Sequence, residues 1–519
     1  MPRPRLLSGR AQRSLSLALL TALLLPLLAL SSAAAQDGTG GPGVPDGFYD
    51  PPGCRAAGTN GLVVYQSLNA ERTTPNRGLI VANARGERER VVRLNGVPVR
   101  VFATPYPNHA IAITSDADGN ASAIEVIDAA RGFRYPLDIP DDHLGSLIFP
   151  SPATAQSAGS RYIVLSDAQQ RVAYLVDLED GVATDLMAIA QERAGDESVT
   201  LIAATVSPDD RRVLLVTSHS VLLIPTDRPN GDRLIGTVDE LSGFAFLPTE
   251  GNPLLFTRAL QGDNGQTEVV MLDPESLTSR QIALESDLVS ATPLPNGEAL
   301  ILATSDALEL LELTYLARSP VAEVDGSIGA VLMAPGGTRL VYEVTGADGS
   351  SWRHVNLRTG TTTDLPDITG LNPIANERSL RWIVFAPNSV VAASQGGAVY
   401  YSLDLERGVT LPTLVTRDGL SYLPPIVTPG EGRYTLVPSV SGSIQRYDLI
   451  DNRVGLVTSL LDGRSVSATL SPDGCWAAVA RVVGDRADRN FRIELVPLDD
   501  QDAVIRGESG IAPIWLTGA

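Results

Sequence analysis

From Leu62 onward, short apolar runs and polar turns follow one another in a single recurring order. An apolar strand leads into a turn around Pro with Gly or Asp, and a second apolar strand follows. Then come a polar loop, a third strand, another turn and a short fourth strand. The clearest copy is "VSATLSPDGCWAAVARVVGDRADRNFRIELVPLDD" from Val466. "LIAATVSPDDRRVLLVTSHSVLLIPTD" from Leu201 and "GAVLMAPGGTRLVYEVTGADGSSWRHVNLRTGTTTDL" from Gly329 repeat it. Weaker turns of the type are Thr104-Pro105, Phe149-Pro150, Leu247-Pro248, Leu294-Pro295-Asn296-Gly297, Ala386-Pro387-Asn388 and Thr428-Pro429-Gly430. Pro fixes φ at the turn, and Asp-Gly or Gly-Gly tolerates the left-handed residue after it. Second strands such as Val213-Leu214-Leu215-Val216 and Ala299-Leu300-Ile301-Leu302 are apolar on both faces, as strands between two neighbouring sheets must be. Helical periodicity is nearly absent; Asp185–Ala194 has room for a turn or two of helix.

The marker prolines lie roughly 40 to 56 residues apart, which suits four short strands and their turns. The pattern predicts an all-β chain, a β-propeller of four-stranded blades. Nine complete units start near Val99, Ser146, Val199, Gly243, Val289, Gly329, Leu380, Tyr422 and Val466. Before them, Leu62–Leu94 holds only three strands, Leu62–Ser67, Gly78–Ala82 and Arg90–Leu94. The missing innermost strand arrives at the far end of the chain as Ile511–Leu516. Borrowing it would close a ring of about ten blades and remove two sheet edges that invite aggregation. Two smaller rings are the alternative, and a row of β-sandwich domains would need breaks in spacing that are not seen.

These repeats resemble the TolB-like or WD40-like propeller repeats of bacterial extracytoplasmic proteins. Ser471-Pro472-Asp473-Gly474 matches their turn fully, and Ser207-Pro208-Asp209-Asp210 in three of four positions. Leu357-Arg358-Thr359-Gly360 and Asp404-Leu405-Glu406-Arg407-Gly408 match the second half of the motif. The resemblance spans residues 61–519 and implies a fold shared by proteins of many functions.

The N-terminus has Arg3, Arg5, Arg10 and Arg13 before an apolar run from Leu15 to Leu30, then Ser31-Ser32-Ala33-Ala34-Ala35. This is the pattern of a secretory signal peptide over residues 1–35. A retained membrane anchor is the alternative, but the run is short for a bilayer and broken by Pro26. Gln36–Asn60, rich in Gly, Pro and Asp, reads as an extended leader. Net charge is −20; removing the leading four arginines takes it to −20 − 4 = −24. Such a chain repels phosphate backbones, so nucleic acid is a poor partner, whereas a basic protein surface is a good one. All forty basic residues are arginines. Without lysine there is no P-loop lysine, Schiff base or Ser-x-x-Lys acylation site.

Cys54 precedes the first strand of the incomplete blade, and Cys475 follows the turn of the last complete one. In a closed ring those blades are neighbours, and export into an oxidising compartment favours a disulfide; two unpaired buried thiols are the alternative. His109, His143, His219 and His354 fall in different units with no metal-ligand spacing, and there is no Gly-x-Ser-x-Gly elbow. Equivalent loops between second and third strands carry Asp116, Asp118 and Asn120; Asp263; Asp348; and Asp485 and Asp488. They suit hairpin turns first, with a shared partner- or cation-binding face as the alternative. Asp116 to Asn120 begins like a calcium loop, but Ala121 stands where glycine is needed and Ile127 at the twelfth position, so calcium affinity is expected to be weak. No other cofactor is indicated. Trp352, Trp382, Trp476 and Trp515 lie on or beside strands, which favours blade packing over sugar binding. The reading is a secreted or periplasmic β-propeller acting as a non-enzymatic scaffold for an envelope or extracellular protein. The alternative is a propeller enzyme of hydrolase or lactonase type, with its site at the central channel.

Overall fold

The computed structural model describes residues 61–517 apart from 70–73, 150–153, 156–158, 261–265, 334–336, 348, 366–371, 376–380, 387–398, 405–408, 415–425, 427–433, 440, 449–452, 459–463, 484–489 and 500–503. The signal peptide and the leader with Cys54 lie outside the described residues, as do Asp263, Asp348, Asp485 and Asp488. None of the helices among the described residues is long and apolar enough to cross a membrane.

The strands form ten sheets among the described residues, eight of four strands, one of five and one of three. Pairing is antiparallel, save where Thr154–Ala155 lies parallel to Leu201–Val206. The first sheet joins the two ends of the chain. Leu62–Leu68, Pro75–Asn83 and Arg88–Arg93 pair in sequence, and Gly510–Trp515 adds to the free edge of Leu62–Leu68. Its register sets Val63 opposite Trp515 and Ser67 opposite Gly510. The second sheet is Val97–Ala103, His109–Ser115, Ala121–Asp128 and Phe133–Pro136. The third to tenth follow over 147–185, 201–236, 241–285, 288–323, 327–365, 372–414, 434–458 and 464–506.

The cores lie between sheets. Along Leu62–Leu68, Val63 and Tyr65 pack on Trp476, Ala478 and Ile493 of the tenth sheet, while Val64 packs toward Ala110 and Ala112 of the second. Strand alternation thus sends successive apolar residues to opposite neighbours, which explains why the sequence is apolar on both faces. The same interleaving joins second to third, third to fourth, and on in order to the seventh, and again ninth to tenth.

The Ser-Pro-Asp turns owe their form to side chains. Ser207 Oγ accepts from the Arg212 N–H at 3.0 Å and donates to Asp209 Oδ1 at 2.6 Å. Ser471 Oγ accepts from the Trp476 N–H at 2.9 Å and donates to Asp473. The fourth turn residue is left-handed in both, Asp210 at φ 60° and Gly474 at φ 67°. Leu186–Ala194 is a helix capped by Asp185, whose Oδ1 accepts from the Ala188 N–H at 2.9 Å, so the helical stretch anticipated here is present.

Three units depart from the sequence reading. The first strand of the eighth sheet is Asn372–Ala375, and Arg381–Ala386 is its second strand, so Leu380 does not open the unit. Ala386-Pro387-Asn388 imitated the first turn but follows the second strand. The unit expected from Tyr422 has three described strands, with Ile426 bridging Leu436. The first strand of the third sheet is only Leu147–Ile148.

Candidate functional site

Asp116, Asp118 and Asn120 occupy the hairpin between His109–Ser115 and Ala121–Asp128. The Asp116 carboxylate is turned inward on its own loop, where Oδ1 accepts from the N–H groups of Asp118 and Asn120, both at 2.9 Å. Gly119 takes φ 87°, and a strand resumes at Ala121. Ile127 is fully buried. Asp116 therefore caps a short turn while remaining exposed, as Asp118 and Asn120 beside it are. Asp263, Asp348, Asp485 and Asp488 belong to connections equivalent in their sheets.

The histidines stay apart. His109 Nδ1 lies 2.6 Å from the Pro107 carbonyl, and His143 Nδ1 lies 2.7 Å from the Tyr174 hydroxyl. Burial, and behind it Asp185 and Asp142, push Tyr174 up to about 12. His219 Nε2 faces Asp196 at 3.3 Å, and His354 is buried in its strand. Among the described residues no three His, Cys, Asp or Glu side chains are grouped to hold a metal ion. Trp352, Trp476 and Trp515 are buried between sheets, as blade packing requires.

A feature missed in the sequence recurs along the first strands. In seven of the ten sheets that edge strand carries one more residue than its partner over the same stretch. The extra residues are Val99, Ile202, Val289 and Val466, and the equivalent bulges lie at Gly243-Phe244, Gly329-Ala330 and Ala512-Pro513. Val99, Val289 and Val466 are exposed. Each stands six residues before its turn proline, at Pro105, Pro295 and Pro472, so a periodic signal was present. A bulge bends the strand and interrupts the free ladder, which blunts an edge against pairing with another chain.

The remaining large exposed apolar residues sit on fourth strands or the segments leading into them, among them Phe133, Val182, Leu234 and Tyr315. Among the described residues, the large exposed apolar side chains thus lie at the two edges of the sheets and the turns leading into them. Charged groups on the same turns are knit together. Arg161 meets Asp177, Glu179 and Asp180, each at 2.6 Å. Burial would raise the Asp177 carboxyl, but Arg161 and the Asp180 and Glu179 N–H groups outweigh it and hold it below its usual range. Between the ninth and tenth sheets Glu494 is buried with Arg481 at 2.9 Å and also binds Arg492. Those arginines overcome its burial and keep its carboxyl low.

No family model and no curated protein matches the chain. Several solved structures are similar to it. One is TolB from Acinetobacter baumannii, at 12% identity over 63% of this chain and 84% of that one, TM-score 0.24. Another is the β-propeller domain of the Trilobed protease from Pyrococcus furiosus, described as having an open velcro topology. It is 12% identical over 56% of this chain and 94% of that one, TM-score 0.29. The dihydro-heme d1 dehydrogenase NirN in complex with DHE is 15% identical over 81% and 77%, TM-score 0.36. TolB, the type the repeats resemble, is thus among the structures this chain is similar to.

Proposed function

We propose that this chain is an extracytoplasmic β-propeller, secreted or periplasmic, that works as a non-enzymatic scaffold for another envelope or extracellular protein. The observation that carries the reading is the confinement of exposed apolar side chains to sheet edges and their turns, with Val99, Val289 and Val466 at matching bulges. Side chains that give nothing to the core at recurring positions are what contact with a partner would use. In this reading residues 61–519 form one ring of about ten blades, sealed by Gly510–Trp515, with the bulged strands around the channel. Support comes from the face-to-face packing of the tenth sheet on the first. The acids of the second-to-third-strand loops then offer one face to a basic partner, with Asp116 and Asp118 the described and exposed members.

The same reading pairs Cys475 with Cys54. Support is that Cys475 packs where the first and tenth sheets meet and that the chain has two cysteines. Thiol counting on unreduced, denatured protein tests this pairing, and two titratable thiols refute it. The scaffold itself is tested by cross-linking in the native envelope followed by mass spectrometry, with the Asp118→Arg variant alongside. One stoichiometric protein captured through mapped edge or loop residues supports it. Turnover of a lactone or glycoside by the purified chain, without a captured partner, overturns it.

A further inference from the structure

Among the described residues, five turns between third and fourth strands share one form, in which the residue five places on closes the hairpin and the one before it is left-handed. Three of them put glycine there: Gly132, Gly181 and Gly360, at φ 76°, 65° and 69°. Their N–H groups donate to the carbonyls of Asp128, Asp177 and Asn356 at 2.8, 3.0 and 2.8 Å. The fifth and sixth sheets, neighbours in the stack, put leucine there instead: Leu277 at φ 57° and Leu316 at φ 55°. Left-handed backbone is unfavourable for a side chain with a Cβ. Burial does not offset it, since Leu277 is 40% exposed and Leu316 38%. Next to Leu316, Tyr315 is 79% exposed, the most exposed of the large apolar residues.

Beside the Leu316 turn lies a cavity of about 370 Å³ whose lining includes Asn296, Glu298, Leu310, Glu312, Thr314 and Ser319. Elsewhere carboxylates on third and fourth strands hold arginines, as Glu268 does Arg258 and Glu285 does Arg318. Glu298 instead accepts from Asn296 Nδ2 at 2.9 Å, and no arginine stands within ion-pair distance of Glu298 or Glu312 among the described residues. The nearby Arg280 is turned to the Leu313 carbonyl. A negative cavity flanked by the exposed Tyr315 and Leu316, with exposed Leu277 at the corresponding turn of the neighbouring fifth sheet, favours one kind of visitor.

We propose that this rim of the fifth and sixth sheets docks a partner segment carrying a basic side chain between apolar ones. The basic group enters between Glu298 and Glu312, and its neighbours cover Leu277, Tyr315 and Leu316. This rests on the scaffold reading but uses the rim opposite the Asp118 loop. The probe is a short fluorescein-labelled peptide with arginine between leucine and phenylalanine, and its counterpart with glutamate, followed by anisotropy. The arginine peptide binds at least ~10-fold more tightly than the glutamate one. L277G/L316G, Y315A and E298Q/E312Q each weaken it about tenfold, as loss of a central contact does. Glycine is the residue of the equivalent turns, so L277G/L316G folds and melts no lower than the parent. Unchanged binding by L277G/L316G overturns the proposal, as does self-association of the parent through these leucines, or failure of both peptides to bind. If Asp118→Arg abolishes envelope cross-linking while L277G/L316G leaves it intact, this surface is refuted and the scaffold reading stands on the other rim.

Discussion

If the C-terminal strand seals the first sheet, removing Gly510–Ala519 should cost the molecule much of its stability. Trp515 is 4% exposed and Leu516 fully buried, the first against Tyr65 and Trp476, the second against the second sheet. Burying a Trp removes about 200 Å² from water, about 5 kcal/mol at ~25 cal/mol per Å². Leu516 adds about 2 kcal/mol. A loss of about 7 kcal/mol rivals the whole stability of an ordinary domain. If the roughly 450 residues of the strand region melt together, each 1 kcal/mol moves Tm by about 1 °C, so the truncation lowers Tm by ~7 °C. W515A alone, at about 3–5 kcal/mol, lowers it by ~3–5 °C. Y315A, which removes an exposed ring, should leave Tm within about 0.5 °C. Calorimetry reads all three. A peptide of residues 510–519 added in trans should recover part of the loss, because the edge of Leu62–Leu68 is then re-covered. The truncated chain also exposes that edge, so light scattering should rise on storage. A truncated protein that stays monomeric and melts within 1 °C of the parent would refute the reasoning.

Other outcomes follow from the charge networks and the loop. E494Q leaves the buried Arg481 with a neutral partner and should cost about 3–5 kcal/mol, read as ~3–5 °C in Tm at neutral pH. Glu494 is held below its unfolded value, so its contribution is present above the unfolded pKa and fades as pH falls through the folded one; E494Q should flatten Tm against pH on the acid side. Asp177 obeys the same sign, so R161A should lose about 1 kcal/mol at pH 7 and less at pH 3, and an equal loss at both refutes the pairing. Asp116→Ala removes a cap on two N–H groups and should cost about 1 kcal/mol, whereas Asp118→Arg should leave Tm unchanged. Equal melting by both variants would mean that the Asp116 bonds contribute nothing.

The strand order within most sheets was legible in the sequence because it depends on local signals, and the pairing of Gly510–Trp515 with Leu62–Leu68 because the first unit lacked a strand. Pro fixes φ, Ser and Asp close the turn, and alternating apolar residues must find two neighbours. What misled the reading was the same signal in a second place. Ala386-Pro387-Asn388 carries the turn chemistry of a first connection, yet Pro373 already lies in the first strand of that sheet. A proline turn says where a strand ends and not which strand it is; only pairing decides that. The loop acids were found, but their division of labour was not. Asp116 and Asp118 look alike in sequence, and only the direction of one carboxylate, onto its own backbone, separates a cap from a surface group.

The leucine turns were legible in principle. Against Asp128 with Gly132, Asp177 with Gly181 and Asn356 with Gly360, the pairs Asp273 with Leu277 and Glu312 with Leu316 depart from the glycine of the other three described turns. The break shows only after the turns are aligned by their hydrogen bonds, because the connections around them differ in length. Once aligned, the exception separates two causes. A packing reason would bury the leucines against the preceding sheet, where Gly181 leaves no room for a Cβ beside Tyr135. Both leucines are exposed instead, so replacing them with glycine should relieve strain and leave the core untouched. A melting temperature that falls in L277G/L316G would mean the leucines serve the fold; one that holds or rises leaves contact with another molecule as their use.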